Sequence, residues 1–167
     1  ATSFLWELPS PEQTLARAVL GGWQFNGIVT LSSGLPFTVS SGRDTMLSFI
    51  TSRADLVGDP HLPTNRSRSE LIARYFDPAA FAVPATGTLG NTARNFMIGP
   101  GFKKADLSLF RNFQVKGARL QFRAEAFNAF NNVKLNNPVS NISSGTVGRI
   151  TDAGAARVMQ FGLRMTF

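Results

Sequence analysis

The last eleven residues of the chain, RVMQFGLRMTF, alternate between apolar side chains and polar or small ones. Because the side chains of a β-strand point alternately to opposite faces, this alternation predicts a strand near 157–167 with one continuously apolar face. The apolar face carries Met159, Phe161, Leu163, Met165 and Phe167. The other face carries Val158, Gln160, Gly162, Arg164 and Thr166.

An apolar stripe that closes on an aromatic residue is typical of a strand in a transmembrane β-barrel, in which one face meets lipid and the other lines the lumen. A soluble sheet with one side in water has the same alternation, so a soluble all-β module stays open as the alternative. The chain begins at Ala1 without an initiator methionine or a signal peptide. We therefore expect a processed protein or a fragment of a longer one.

Composition favours strands and excludes several kinds of site. Fifteen Phe, fifteen Gly and nine Pro suit strands joined by irregular loops better than packed helices. The absence of cysteine excludes disulfides, thiol nucleophiles and Cys-based metal sites. The net charge of +7 comes from basic residues that form no continuous stripe, so we expect no nucleic-acid partner.

The same alternation predicts four further strands, near 2–8, 22–32, 103–115 and 118–129. A helical turn is expected around TLARAVL, residues 14–20, before Gly21 and Gly22. Residues 41–101 and 130–156 read as two long, mainly irregular loops, which suit a large barrel better than a compact soluble domain. The predicted fold is an all-β, antiparallel up-and-down meander of about five strands, the closing part of a transmembrane β-barrel.

The hairpin between the strands near 103–115 and 118–129 tests whether the apolar faces agree. A two-residue loop at Lys116 and Gly117 pairs residue 115 with 118, and hence 113 with 120, 109 with 124 and 107 with 126. In this register the apolar faces coincide. The opposite face then forms a polar wall, which we expect to line the lumen together with Gln160 and Arg164; it consists of Asp106, Ser108, Asn112, Gln121, Arg123 and Glu125.

Because successive strands run in opposite directions, the order of the strands also indicates which end of the sheet lies on which side of the membrane. If the tight turn at 116–117 and the end of the chain lie at the periplasmic rim, loops 41–101 and 130–156 are extracellular. Trp6 and Trp23 then fall at the periplasmic interface, where an indole ring meets lipid and its N–H meets water. Arg111 is the exception on the apolar face, and we expect it to snorkel toward the headgroups.

Several segments resemble the carboxy-terminal barrel region of TonB-dependent outer-membrane receptors, most closely the Oar-like proteins with a carboxypeptidase-regulatory-like domain. These segments are GGWQFNGIVTLSSGLPFT at 21–38, YFDPAAFAVP at 75–84, GTLGNTARNFMIGPGFKKADLSLFRNF at 87–113, AEAFNAFN at 124–131 and the terminal FGLRMTF.

The resemblance implies an outer-membrane transporter or receptor in which a barrel of about 22 strands surrounds an amino-terminal plug, and a TonB box contacts the energy-transducing protein TonB. This chain has neither plug nor TonB box, so we expect it to depend on the remaining strands and the plug of the same parent protein. The resemblance also implies that the stripe from Met159 to Phe167 is the signal read by the barrel assembly machinery.

Catalytic patterns are missing from the sequence. His61 is the single histidine and lies between prolines in GDPHLP, which indicates a loop residue. Asp106 and Glu125 are interpreted as members of a polar network with Lys104 and Arg123, because a network satisfies each of these groups. We expect no enzymatic activity, catalytic residue, cofactor or metal. The hypothesis is an outer-membrane transporter barrel in contact with lipid; the alternative is a secreted carbohydrate- or surface-binding module.

Overall fold

The computed structural model describes residues 1–12, 17, 20–115 and 117–167. The chain divides into two compact units. The first, here called the sheet unit, contains Ala1–Ser32, Phe102–Val133 and Ala155–Phe167; the second, the loop unit, contains Ser33–Gly101 and Lys134–Gly154. The loop unit is therefore inserted into the sheet unit twice along the chain.

The described residues contain strands of very unequal length. They are β1 (Thr2–Glu7), β2 (Trp23–Ser32), β3 (Pro36–Phe37), β4 (Asp55–Leu56), β5 (Phe81–Ala82), β6 (Met97–Ile98), β7 (Phe102–Val115), β8 (Ala118–Phe127) and β9 (Val158–Thr166). The five long strands form one sheet in the order β1-β2-β7-β8-β9. All four pairings in it are antiparallel. The prediction of an all-β antiparallel meander is confirmed, and the sheet is open, with β1 and β9 at its edges.

The long strands begin and end within two residues of the expected positions. The largest difference is at β8, which was expected to reach residue 129 and ends at Phe127. The backbone turns at Asn128, whose φ is 53°. Asn128 donates its backbone N–H to Asp106 Oδ1 (2.8 Å), and its side-chain Oδ1 accepts from the backbone N–H of Asn132 (3.0 Å). The Asn128 N–H thus bonds to a side chain where the strand ends, and Ala129 still donates its backbone N–H to the Ala105 carbonyl of β7 (2.8 Å).

The register predicted for the β7–β8 hairpin is confirmed. Leu107 pairs with Ala126, Leu109 with Ala124, Phe113 with Leu120 and Val115 with Ala118. Gly117 in the turn has a φ of 89°, which glycine adopts without steric cost. Lys116, the other predicted turn residue, lies outside the described residues, as does most of the helical turn expected at 14–20.

The loop unit is more ordered than the mainly irregular segment that the sequence indicated. Its core contains Phe37, Val39, Ala54, Phe76, Ala80, Phe81 and Met97. Strand β3 pairs with β6 and β4 with β5. A short helix, α1 (Arg68–Ala73), has a capping box formed by Ser67 and Glu70, and Pro78–Ala80 form a 3₁₀ turn. The sequence missed this core because its apolar residues follow neither a helical nor a strand period.

Two parts of the loop unit that are far apart in the chain are joined directly. Ser40 forms bridges with both Arg53 and Asn141. The Ser143 hydroxyl donates to the backbone carbonyl of Ser41 (2.6 Å). Segment 134–154 is therefore packed into the same unit as 33–101, whereas the sequence treated the two as separate loops. Among the described residues, no helix is both long enough and apolar enough to span a membrane.

Candidate functional site: the polar face of the sheet

The register brings the predicted polar residues onto one face of the sheet. Ser108 lies opposite Glu125, and Asn112 lies opposite Gln121. Across the next ladder, Gln160 lies opposite Glu125, and Arg164 opposite Gln121. Alternation places Asp106 and Arg123 on the same face. All eight residues expected in the polar wall therefore share what is here called the polar face.

Hydrogen bonds connect the middle of the polar face across three strands. Gln121 Nε2 donates to Asn112 Oδ1 at 3.1 Å, which joins β8 to β7. The Gln160 amide donates to the Glu125 carboxylate, which joins β9 to β8. Arg123 Nη1 lies 3.9 Å from Glu125 Oε1, and the Arg123 guanidinium lies over the Phe110 ring with Cζ 4.8 Å from its centroid. Each contact fixes a polar side chain against its neighbour.

A second polar group lies near the beginning of β7. Asp106 Oδ2 accepts from Lys104 Nζ at 2.8 Å, while its other oxygen accepts from the Asn128 backbone. At the opposite sheet edge, Gln24 Nε2 donates to Glu7 Oε1 at 3.3 Å. Asp106 and Glu125 thus have separate partners, consistent with a network rather than a shared carboxylate pair.

Gln114 and Arg119 also belong to the polar face, although neither was among the residues predicted for the polar wall. Gln114 lies opposite Arg119, and Arg119 lies opposite Thr166. The same alternation identifies these residues once it is extended to the ends of the strands. Near the 117 turn, an open groove of about 560 Å³ is lined by Asn112, Gln114, Gly117, Arg119, Gln121, Arg164, Thr166 and Phe167.

The opposite face of the sheet is apolar and largely uncovered in the sheet unit. Its outermost stripe on β9 consists of Met159, Phe161, Leu163 and Met165, with exposed fractions between 56% and 71%. Strand β9 ends at Thr166, so Phe167 follows the last paired residue instead of belonging to the strand. An exposed apolar surface of this extent marks a face that contacts something other than water.

Arg111 does not snorkel, which corrects the expectation from the sequence. Arg111 is only 7% exposed. The guanidinium Cζ lies 4.3 Å from the centroid of the Phe113 ring and 5.4 Å from that of Trp23. Trp23 also meets Phe122 edge to face, with centroids 6.0 Å apart. The aromatic rings shield the charge on the apolar face, because cation–π contact replaces part of its hydration.

Trp6, the other expected interface aromatic, lies on the same apolar face as Trp23. It pairs with Phe25 across the β1–β2 ladder and is more than half exposed. The structure therefore distinguishes two tryptophans that the sequence treated alike. Trp23 is partly buried and contacts Arg111 and Phe122, whereas Trp6 is exposed on the outermost strand.

The described residues contain no cluster of three or more His, Cys, Asp or Glu that could hold a metal ion. His61 is exposed in the loop unit, and its Nδ1 lies 2.8 Å from Asp59 Oδ1. The backbone N–H and then the ring of His61 hold the pKa of the Asp59 carboxyl below its usual value. The pair forms a local turn, and no second group with catalytic chemistry accompanies it among the described residues.

An antiparallel sheet with one exposed apolar face and one polar face has the anatomy of a membrane-spanning barrel wall. Residues 1–160 match the outer membrane beta barrel domain, and the chain belongs to this family. The protein is accordingly a bacterial outer-membrane protein that associates with membrane lipid. No curated protein and no solved structure matches the chain.

Proposed function

We propose that the chain is the carboxy-terminal barrel portion of a TonB-dependent outer-membrane transporter or receptor of the Oar-like type. The observation that carries the proposal is the segregation of one sheet into a polar face and an exposed apolar face. The apolar face contacts lipid, and the polar face lines the lumen through which a substrate passes. The motifs that resemble TonB-dependent receptors, and not the family match, supply the finer assignment.

The open edges of the sheet indicate how this portion is completed. In lipid every backbone N–H and C=O must be paired, so β1 and β9 each require a neighbouring strand. Further strands of the same parent protein supply these neighbours and close the barrel. TonB, acting on a plug in the lumen, supplies the energy for uptake. The chain itself takes part in no chemical reaction, and the transporter uses no cofactor here.

In this proposal, the two ends of the sheet lie on opposite sides of the outer membrane. The turn at 116–117 lies at the periplasmic rim, with Trp6 and Trp23 at the lipid interface on that side. Loops 41–101 and 130–156 lie outside the cell and contribute substrate contacts. The stripe of Met159, Phe161, Leu163, Met165 and Phe167 is read by the barrel assembly machinery during insertion.

Cysteine scanning of the full-length protein tests the placement of the two faces. Residues 1–167 contain no cysteine, so each single substitution reports one site once any cysteines elsewhere in the full-length protein are replaced. Leu109→Cys on the apolar face should resist a water-soluble maleimide, whereas Asn112→Cys on the polar face should react. Equal reaction of both variants in intact outer membranes would contradict a lipid-facing and a lumen-facing side.

Co-purification with TonB tests the finer assignment. We expect the full-length protein, extracted in mild detergent, to retain the periplasmic domain of TonB. A deletion of the amino-terminal plug region should abolish the interaction without changing membrane insertion. A correctly inserted protein that never retains TonB would leave the barrel in place and remove the transporter assignment. The secreted binding-module alternative is disfavoured by the family membership.

A further inference from the structure

We propose that the polar face binds a small, multiply charged oxyanion, a solute with phosphate or carboxylate groups, over Gly162 between Arg123 and Arg164. The inference deepens the proposed function and rests on it, because it takes the polar face to line a lumen that solutes enter. It names the chemical class of the substrate.

Three arginines occupy neighbouring positions on this part of the polar face. Arg123 lies directly opposite Gly162, Gln121 opposite Arg164, and Arg119 opposite Thr166. Arg164 is therefore the diagonal neighbour of both Arg119 and Arg123. Diagonal neighbours in an antiparallel pair are about 7–8 Å apart, which is close enough for two arginines to share one anion. The Arg123 guanidinium lies over the Phe110 ring of β7 in this structure and turns toward β9 to take part. All three side chains are exposed.

The carboxylates of the polar face contact only one member of this arginine cluster. Glu125 accepts from Gln160 and is at the limit of contact with Arg123, while Asp106 is bonded to Lys104 and the Asn128 backbone. Among the described residues, no carboxylate lies within ion-pair distance of Arg119 or Arg164. Like charges this close repel, and a bound anion relieves the repulsion.

Gly162 leaves space for the anion. A Cβ placed on Gly162 would meet no atom nearer than Arg123 Cβ, at 3.8 Å. The resulting depression has a volume of about 220 Å³ and is lined by Gln121, Arg123, Gly162, Leu163 and Arg164. It shares Gln121 and Arg164 with the larger groove near residue 117. Planar guanidinium groups donate in pairs to phosphate and carboxylate oxygens, which matches an oxyanion better than a halide.

Arginine modification of the full-length protein in detergent micelles tests the proposal, with inorganic pyrophosphate as the probe. Phenylglyoxal labelling at each arginine is followed by peptide mass spectrometry, and sodium chloride at equal ionic strength is the reference. Pyrophosphate should slow labelling of Arg123 and Arg164 at least about fivefold, the protection given by a ligand at roughly four times its Kd. The exposed Arg68 of α1 should be unaffected.

Two glycine variants distinguish the contribution of the depression to anion binding from that of the arginine charges. Gly162→Val fills the depression and keeps all three arginines, and it should remove most of the protection. Gly145→Val is the matched control, since Gly145 has open space around it in the loop unit. Protection that survives Gly162→Val would overturn the assignment of the anion to this depression.

Two other outcomes would overturn the proposal in different ways. Fast labelling that pyrophosphate does not slow would show that no anion site exists. Slow labelling that pyrophosphate does not change would show that carboxylates of the parent protein occupy the arginines in place of a solute. Neither outcome alters retention of TonB, so failure of this inference is distinguishable from failure of the proposed function.

Discussion

At the scale of single residues, Arg111 shows how a charge is accommodated on an apolar face. A cation exposed to lipid costs roughly 2–4 kcal/mol at the bilayer midplane and about 0–1 near the interface. Here Phe113 and Trp23 cover the guanidinium, and Phe122 supports Trp23. The aromatic residues around Arg111 therefore do more than anchor the sheet at an interface.

This arrangement predicts unequal effects of two tryptophan substitutions. Trp23→Leu should lower the stability of the full-length barrel by about 1–3 kcal/mol, because it removes a cation–π contact and an edge-to-face aromatic contact. Trp6→Leu, on the outermost strand of the sheet unit, is the matched control and should cost less. Heat-modifiable gel migration against temperature measures both. Equal midpoints for the two variants would contradict a special role for Trp23.

At the scale of elements, the cap of α1 depends on a titratable side chain. The Ser67 hydroxyl and then its backbone N–H donate to Glu70, which lowers the pKa of the Glu70 carboxyl. A carboxyl whose pKa is lower in the folded state stabilises the fold at pH values above its unfolded-state pKa, here 4.5. This contribution is lost as the pH falls through the folded-state pKa. The protection of the α1 backbone amides against hydrogen exchange should therefore decrease below about pH 4.5.

Hydrogen exchange of the peptide covering α1 measures that decrease. Ser67→Ala should reduce local helix stability by about 1 kcal/mol at neutral pH and weaken the acid-dependent change. Thr64→Ala, at an exposed position before the helix, serves as the control. An acid-dependent change that is identical in Ser67→Ala and the natural protein would show that another group causes it.

The long strands were predictable from sequence, and the loop unit was not. A period of two is a local signal, and in β7 and β8 it also fixed the register, since a slip of one residue would have turned Leu109 and Ala124 to opposite faces. The core of the loop unit brings together residues that are distant in sequence and follow no local period, such as Phe37, Phe76 and Met97. No sequence pattern therefore predicts their contact. The wrong expectation for Arg111 has the same origin, because its shielding depends on Trp23 in another strand.

On the polar face, alternation predicted which side chains share a face but not which of them are neutralised. The separate partners of Asp106 and Glu125 depend on Lys104, Asn128 and Gln160, and side-chain rotamers decide such contacts. The depression over Gly162 was missed for a related reason. A glycine in a strand pattern is visible in the sequence, whereas the two arginines that flank it become neighbours only through the β8–β9 register.

At the scale of the whole molecule, the proposed assembly signal predicts a defect that is independent of the loops. In the full-length protein, Phe167→Asp should strongly reduce the amount of surface-exposed protein, because a charge replaces the exposed aromatic at the end of the apolar stripe. His61→Ala should leave it near normal. Surface labelling and heat-modifiable migration measure insertion. Normal insertion of Phe167→Asp would remove the assembly-signal assignment.

The two outer strands of the open sheet have a practical consequence for handling this segment alone. Detergent molecules cover the apolar face of the sheet. They do not form hydrogen bonds with the row of backbone N–H and C=O groups along the outer edges of β1 and β9. In such a preparation the apolar face would be covered by detergent. The unpaired backbone groups at the sheet edges would still bind other strands. Copies would add side by side into ribbons, and only a partner strand, not more surfactant, would stop their growth.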